Sequence, residues 1–388
     1  MKKNILFIVS DMESGGFQKS LISLLKEFNY DEYNVDITIL SPNGIFINDI
    51  PKEVKIKKLN IEPCFFYKFP QCLIQLIKEK KILLTYKRII QFFISRLNKG
   101  LGGIYMAKQI PAIDKKYDVA IDYNGQHILY YMVDKVKAEK KISYFHSDYK
   151  KWPYYKYADK KYYPKVDYIV TISEICKESL VEFFPECKEK IRVIENISSP
   201  KIIRDLSLRE CSIKFNLKYT NVIMVGRPSK TKGYDFAIEA CKRLRDDGYK
   251  VKFYSIGTSN EVDIFKNMVR GLGIENEFIF LGETNNPYKY IRQANIFVHP
   301  SRFEGKSVAI DEAKILCKPI VISNFTTAKD HIKNEVNGLI VEMNSEGVYK
   351  GIKRLIDHKE LCNRFINNLQ NDDFGNENEV EKLYKLID

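Results

Sequence analysis

The sequence predicts an α/β fold made of two doubly wound domains, each built around a mainly parallel sheet. Short apolar runs alternate with helical patterns along almost the whole chain, the signature of strand–helix–strand units. A polar, irregular stretch at 196–218 divides these units into two halves of similar make-up. The 388 residues suffice for two to three domains with sizeable cores.

In the first half the runs Ile5 to Val9, Val35 to Leu40, Val119 to Tyr123, Ile142 to Phe145, Tyr168 to Ile172 and Ile191 to Ile194 read as strands. In the second half they are Asn221 to Val225, Lys250 to Ile256, Phe278 to Leu281, Ile296 to His299, Pro319 to Ile322 and Gly338 to Val341. Boundaries follow at 1–198 and 199–370, with 371–388 a helical tail expected to pack back on the first domain. The cleft between two such domains is the expected ligand site.

Composition narrows the class. Hydrophobic content of 45% with 29% charged residues belongs to a globular chain rather than a disordered or membrane-spanning one. The apolar run after Met1-Lys2-Lys3 is short and meets Ser10-Asp11 with no small-residue cleavage site, so it reads as a first strand, not a leader. No window reaches the eighteen or more apolar residues of a spanning helix. Eight scattered cysteines, without a Cys-x-x-Cys pair, argue against zinc and disulfide frameworks and for a reducing, cytoplasmic setting. A net charge of +13 points to an anionic partner.

Part of that charge is concentrated. Between Phe65 and Lys108 nine Lys/Arg stand against one acid, Glu79. Leu83, Ile90, Phe93, Ile94 and Leu97 fall near helical spacing, with Lys81, Arg88 and Ser95 on another side. Two readings are open: an interfacial helix lying on an anionic membrane surface, or a core-packed helix with a solvated basic face. A second basic–aromatic run, Tyr149 to Lys165, holds Trp152, Tyr154, Tyr155 and Tyr157, rings that suit sugars or lipid headgroups. Nucleic acid is not an expected partner, because the cations lie beside a hydrophobic stripe and no known module is present.

The chemistry gathers around Glu304 and Glu312, separated by seven residues in a strand–loop–helix stretch from His299. Carboxyl ends of strands are where open α/β sheets bind ligands. Eight residues along a helix amount to about 12 Å of rise and about 80° of rotation, too far for a shared proton. A paired-carboxylate glycosidase needs carboxyls roughly 5 to 9.5 Å apart across one bond, which this spacing does not supply. Two loops carry phosphate-binding character. Gly15-Gly16 closes a strand-to-helix turn, and Gly226-Arg227 with Lys232-Gly233 places two cations at the start of another helix.

Together these motifs resemble glycosyltransferase family 4, the retaining family with the GT-B fold of two Rossmann-like domains facing across a cleft. The resemblance rests on Gly15-Gly16, Gly226-Arg227, Lys232-Gly233, Pro300-Ser301, Glu304-Gly305 and Glu312-Ala313. It is supported by Ile172-Ser173-Glu174, Asn196, Leu281-Gly282 with Asn286-Pro287, and Asn337-Gly338. Within the family the cluster Arg302-Phe-Glu-Gly-Lys-Ser307 most resembles enzymes that build bacterial capsules and exopolysaccharides.

The resemblance implies roles. Arg227 and Lys232 would hold the donor diphosphate, Glu312 the ribose hydroxyls, and Glu304 the donor-sugar hydroxyls. Backbone N–H groups of Lys306 and Ser307 would hold phosphate, and His146 would face the donor sugar. No protein nucleophile is implied; the donor phosphate would accept the acceptor's proton. No Asp-x-Asp occurs, so neither a metal nor a cofactor beyond the nucleotide-diphosphate sugar is expected. The chain departs from the family at Gly257-Thr258-Ser259-Asn260, at Asn324 to Asp330, and at Lys306, where an apolar residue is usual.

The expectation is a peripheral enzyme at the inner face of the plasma membrane. It would transfer a hexose or N-acetylhexosamine from a UDP-linked sugar to a lipid-linked oligosaccharide and touch the anionic leaflet through 65–108. Two rivals are an isomerase resembling UDP-sugar 2-epimerases and a non-catalytic carbohydrate- or membrane-binding relative.

Overall fold

A computed structural model describes residues 2–13, 15–372 and 374–388. The chain forms two compact units, Met1–Ile197 joined by Glu377–Asp388, and Ser198–Asn376.

Among the described residues the first unit holds seven parallel strands. They are β1 (Lys3–Val9), β2 (Tyr33–Ile39), β3 (Lys55–Ile56), β4 (Ile113–Asp122), β5 (Val136–Phe145), β6 (Tyr168–Thr171) and β7 (Ile191–Val193). Their order is β3-β2-β1-β4-β5-β6-β7. Side chains alternate across the sheet as a two-residue period requires. Ile5, Phe7 and Val9 of β1 join the core on one face, and Leu6 and Ile8 join that on the other. Because both faces are covered, β1 reads as a continuous apolar run.

The C-terminal helix Glu379–Ile387 belongs to this unit. Val380, Leu383, Leu386 and Ile387 enter the β1 core. Tyr384 stacks on Tyr33 at 5.1 Å, and Lys3 pairs with Asp388 at 2.8 Å.

Among the described residues the second unit holds six parallel strands: β8 (Thr220–Val225), β9 (Val251–Ile256), β10 (Phe278–Gly282), β11 (Ile296–His299), β12 (Ile320–Ser323) and β13 (Leu339–Val341). Their order is β10-β9-β8-β11-β12-β13. In each sheet the winding reverses between two central strands, β1 beside β4 and β8 beside β11. Loops leaving such a reversal diverge and open a crevice at the carboxyl ends.

Two features differ from the sequence reading. Strand β3, two exposed residues at the sheet edge, is too short to carry a periodic signal. Strands β4 and β5 begin about six residues early, in polar segments where Lys116 pairs with Glu139 at 2.7 Å. Charged residues are poor strand formers, so pattern alone does not find these ends.

The basic block folds into helices Gln71–Lys78, Ile82–Leu97 and Lys99–Gln109. Its central helix does not turn its apolar stripe inward. The positions it buries are Thr85 and Arg88, and the Arg88 guanidinium donates to Tyr67 O at 2.9 Å and to Gln91 Oε1. The core-packed reading is therefore set aside, and Arg88, read from sequence as a surface cation, is an internal strut. No helix among the described residues is long and apolar enough to cross a membrane.

Candidate active site

The site assembles at the reversal between β8 and β11. After β8 the chain passes through Gly226 to Lys232 and enters the helix Tyr234–Asp246. Gly233 caps that helix with φ 66°, and a Cβ there would lie 1.9 Å from the Pro300 carbonyl. Only glycine allows this approach of the β8 loop to the β11 loop. Arg302 then ties the loops together. Its guanidinium grips Asp235 with contacts of 2.7 and 2.6 Å, its amide donates to Thr231 O at 2.7 Å, and it lies over the Phe236 ring at 3.7 Å.

Held this way, Lys232 reaches Glu304. Its Nζ lies 2.5 Å from Glu304 Oε1. The same oxygen accepts from Ser301 Oγ at 2.6 Å and His299 Nε2 at 2.7 Å. Burial opposes ionisation of Glu304, but His299 and Lys232 outweigh it and hold the carboxyl well below its usual range. Burial also pulls the His299 imidazole down, against the attraction of Glu304. At neutral pH the histidine is therefore a neutral donor, and the formal charge facing Glu304 is that of Lys232.

Glu304 lies in the loop, since the next helix begins at Val308, so helical geometry does not set its distance from Glu312. The two carboxylates instead have different hydrogen-bond partners: Glu312, only 1% exposed, accepts from Tyr288 at 3.0 Å. Ser307 caps the helix Val308–Ile315. Its amide already donates to His331 Nε2 at 3.3 Å, and burial holds that imidazole down to about 4. Gly305 and Lys306 are half-buried between these groups, and Arg227 is exposed beside Gly226.

Gly257 also has a packing role. With φ 136°, its α-carbon faces the Gly226 carbonyl so closely that a Cβ would lie 2.2 Å away. Ser259, two residues on, donates to Pro228 O. A single glycine thus seats this turn against the β8 loop.

Gly15, Gly16 and His146 belong to the first unit. Gly15 is the N-cap of the helix Gly16–Lys26; residue 14 of the preceding loop lies outside the described residues. His146 follows β5, with Nδ1 3.1 Å from Asn196 Oδ1 and Tyr123 packed at 4.7 Å. Its Nε2 is buried without a hydrogen-bond partner among the described residues. Burial, only partly offset by Asn196, lowers this imidazole to about 4, so it is neutral at pH 7.

Sequence reasoning singled out Lys232, Glu304 and Glu312 as candidates but not the contacts around them: His299 and Ser301 on Glu304, Arg302 on Asp235, Tyr288 on Glu312 and His331 on Ser307. A weak signal existed, because His299, Ser301 and Arg302 lie within five residues of Glu304 at the end of a buried strand.

The chain is similar to known proteins. Residues 211–372, which contain both loops, match the family of glycosyl transferases group 1. An N-acetylgalactosamine-N,N'-diacetylbacillosaminyl-diphospho-undecaprenol 4-alpha-N-acetylgalactosaminyltransferase of Campylobacter jejuni is 28% identical over 207 residues, covering 53% of this chain and 55% of that one. The capsular polysaccharide biosynthesis glycosyltransferase CapM of Staphylococcus aureus is 27% identical over 213 residues, covering 50% and 53%. The matches thus span about half the length of these curated relatives. The crystal structure of Anabaena HepE in complex with UDP and glucose superposes with a TM-score of 0.69 at 14% identity, covering 99% of this chain and 98% of that one. The fold is thus GT-B, and within it residues 211–372 are similar to the glycosyl transferases of group 1.

Proposed function

We propose that the chain is a retaining glycosyltransferase that moves a hexose or N-acetylhexosamine from a UDP-linked donor to a lipid-linked oligosaccharide. The observation that carries this is the contact of Lys232 with Glu304 at the strand reversal. A cation and a carboxylate, each able to grip a different part of one ligand, meet where an α/β sheet binds ligands. The lipid-linked acceptor is supported by the diphospho-undecaprenol in the printed name of the Campylobacter relative, and UDP by the HepE complex.

An incoming diphosphate draws Lys232 and Arg227 toward its oxygens, which frees Glu304 to accept hydrogen bonds from sugar hydroxyls. The amides of Lys306 and Ser307 turn to phosphate, Ser307 exchanging His331 for it. Glu312 receives the ribose. In transfer, the bond from the anomeric carbon to the β-phosphate oxygen breaks, and its electron pair stays on the diphosphate. The acceptor oxygen bonds to the same face of the sugar, and its proton passes to the leaving phosphate. Cations fixed where that charge grows supply the main rate term. His146, neutral at pH 7, would take its expected role toward the donor sugar only once its buried Nε2 is uncovered.

The test is incubation with UDP-, GDP- and ADP-sugars, with and without a diphospho-undecaprenol acceptor, followed by nucleotide release and product anomer. Acceptor-dependent release from a UDP-sugar, with retained configuration, is expected. Conversion of the UDP-sugar to its epimer without nucleotide release, read by chromatography of the nucleotide sugar, would make the chain an isomerase, and neither release nor epimerisation with any donor a binding protein.

A further inference from the structure

We propose that His331 couples donor binding to the uptake of a proton: its imidazole yields the Ser307 amide to a donor phosphate and is protonated at Nε2 to hold that phosphate. The inference rests on the donor reading given above and adds a residue to it. His331 directly follows the segment 324–330, where the chain departs from the family pattern, and that pattern gives it no role.

The Ser307 amide stands at the start of the helix Val308–Ile315, where N–H groups suit phosphate. It donates to His331 Nε2 at 3.3 Å. An amide has one proton to give, so a phosphate at this helix start competes with the imidazole for it. The accepting nitrogen also carries a lone pair, which repels a phosphate oxygen brought up to the same amide. Two changes relieve that clash: the ring leaves, or Nε2 takes a proton.

The ring is held in place. The His331 side chain is 2% exposed, and the Phe325 ring packs against it edge-on with centres 6.0 Å apart. The short helix that carries it, Ala328–His331, follows residues fastened to the Glu304 loop. Ser323 Oγ donates to Ser301 O, and Thr327 Oγ1 donates to Glu304 O at 3.1 Å. Swinging His331 outward would disturb the loop on which Glu304 sits. Protonation needs no such movement.

The surroundings decide the charge. Accepting at Nε2 leaves the ring proton on Nδ1, which lies 4.0 Å from Asp311 Oδ1. Asp311 is itself paired with Lys314 at 2.8 Å. Burial is the largest influence and holds the imidazole down to about 4, so it is neutral at pH 7. Asp311 favours the charged form, while Lys314, His299 and Lys306 oppose it. A diphosphate adds negative charge beside Nε2, of the sign that raises an imidazole. In the complex Nε2–H donates to a phosphate oxygen and Nδ1–H still faces Asp311. The proton comes from the buffer.

The test is calorimetric titration of the full chain with a UDP-sugar, whose diphosphate diester has no group of its own titrating near neutral pH. Titrations at about pH 7 in buffers of different ionisation enthalpy count the protons taken up. Wild type should take up between about half a proton and one, and its affinity should rise by up to ~tenfold per unit as pH falls from about 8 to about 6. His331→Asn and, should that variant disturb folding, His331→Gln keep an acceptor for the amide but cannot be protonated. Their uptake should be near zero and their affinity nearly independent of pH. Nitrogen NMR of the five histidines, with His331 assigned by its loss in the variant, should show Nε2 unprotonated alone and protonated with saturating UDP-sugar. Binding without proton uptake, uptake unchanged in the variants, or an Nε2 that stays unprotonated in the complex would overturn the inference and leave the donor reading standing. Failure to bind any UDP-sugar would instead overturn the donor reading, and this inference with it.

Discussion

Lys232 Nζ and Glu304 Oε1 lie 2.5 Å apart, although 72 residues separate them in the chain. The contact exists because Gly233 lets the β8 loop press on Pro300 and because Arg302 binds Asp235 across the same junction. Both partners are largely withdrawn from water, with side-chain exposures of 29% and 10%. Removing one leaves the other needing a new partner.

Donor affinity should report on the lysine. On the proposed reading, Lys232→Ala and Arg227→Ala should each remove a charge-assisted contact to diphosphate worth about 1.5–3 kcal/mol, a ten- to hundredfold loss of affinity. Calorimetric titration with the UDP-sugar checks this; unchanged affinity in both variants would contradict the assignment.

Arg302 is expected to act through geometry rather than through contact with donor. Arg302→Lys keeps the charge but loses the two-pronged grip on Asp235 and the stacking on Phe236. Donor KM should rise several-fold, and stability should fall by about 1–3 kcal/mol. Asp235→Asn should do the same, and the double variant should cost less than the sum. Additive losses would mean that the clasp does not couple the loops.

His146 gives a pH signature. Its folded-state value is depressed to about 4, against about 6.5 unfolded. Above pH 6.5 both states are neutral and no penalty arises. As pH falls toward 4 the unfolded chain takes up a proton that the folded chain refuses, so stability drops, at most on the order of 3 kcal/mol. Asp122 and Asp159, raised by burial to about 7 and about 6, act in the opposite sense over the same window. The diagnostic quantity is therefore the difference between wild type and His146→Asn in urea unfolding. Wild type should lose stability relative to the variant between pH 6.5 and 4, and a pH-independent difference would refute the burial account.

The C-terminal helix should be integral to the first unit. Leu383 is fully buried in the β1 core, so Leu383→Ala should cost about 2–5 kcal/mol, read by chemical denaturation. A cost below about 0.5 kcal/mol, the range of ordinary surface substitutions, would mean that the helix is only loosely applied.

How much could be read in advance depended on whether the signal was local. Strand β11 was legible because three apolar residues and His299 run between a polar Asn295 and Pro300. Strand β3 and the starts of β4 and β5 were not, because their polar residues are held by pairing rather than by burial. Lys232 and Glu304 were each legible as chemistry beside a turn, but not as partners, since that contact follows from the strand order. The helix Ile82–Leu97 was legible as amphipathic, but which face turned inward was not: Arg88 is buried where Tyr67 O, brought near by folding, and Gln91, one turn along the helix, accept its hydrogen bonds.

The most direct test of the central claim is the rate of UDP release from a UDP-sugar by Glu304→Gln against wild type, with a lipid-linked acceptor present. The carboxylate is proposed to grip sugar hydroxyls, so the variant should fold normally and turn over about 10²–10³ times more slowly. A Glu304→Gln enzyme that releases UDP at the wild-type rate would contradict the account.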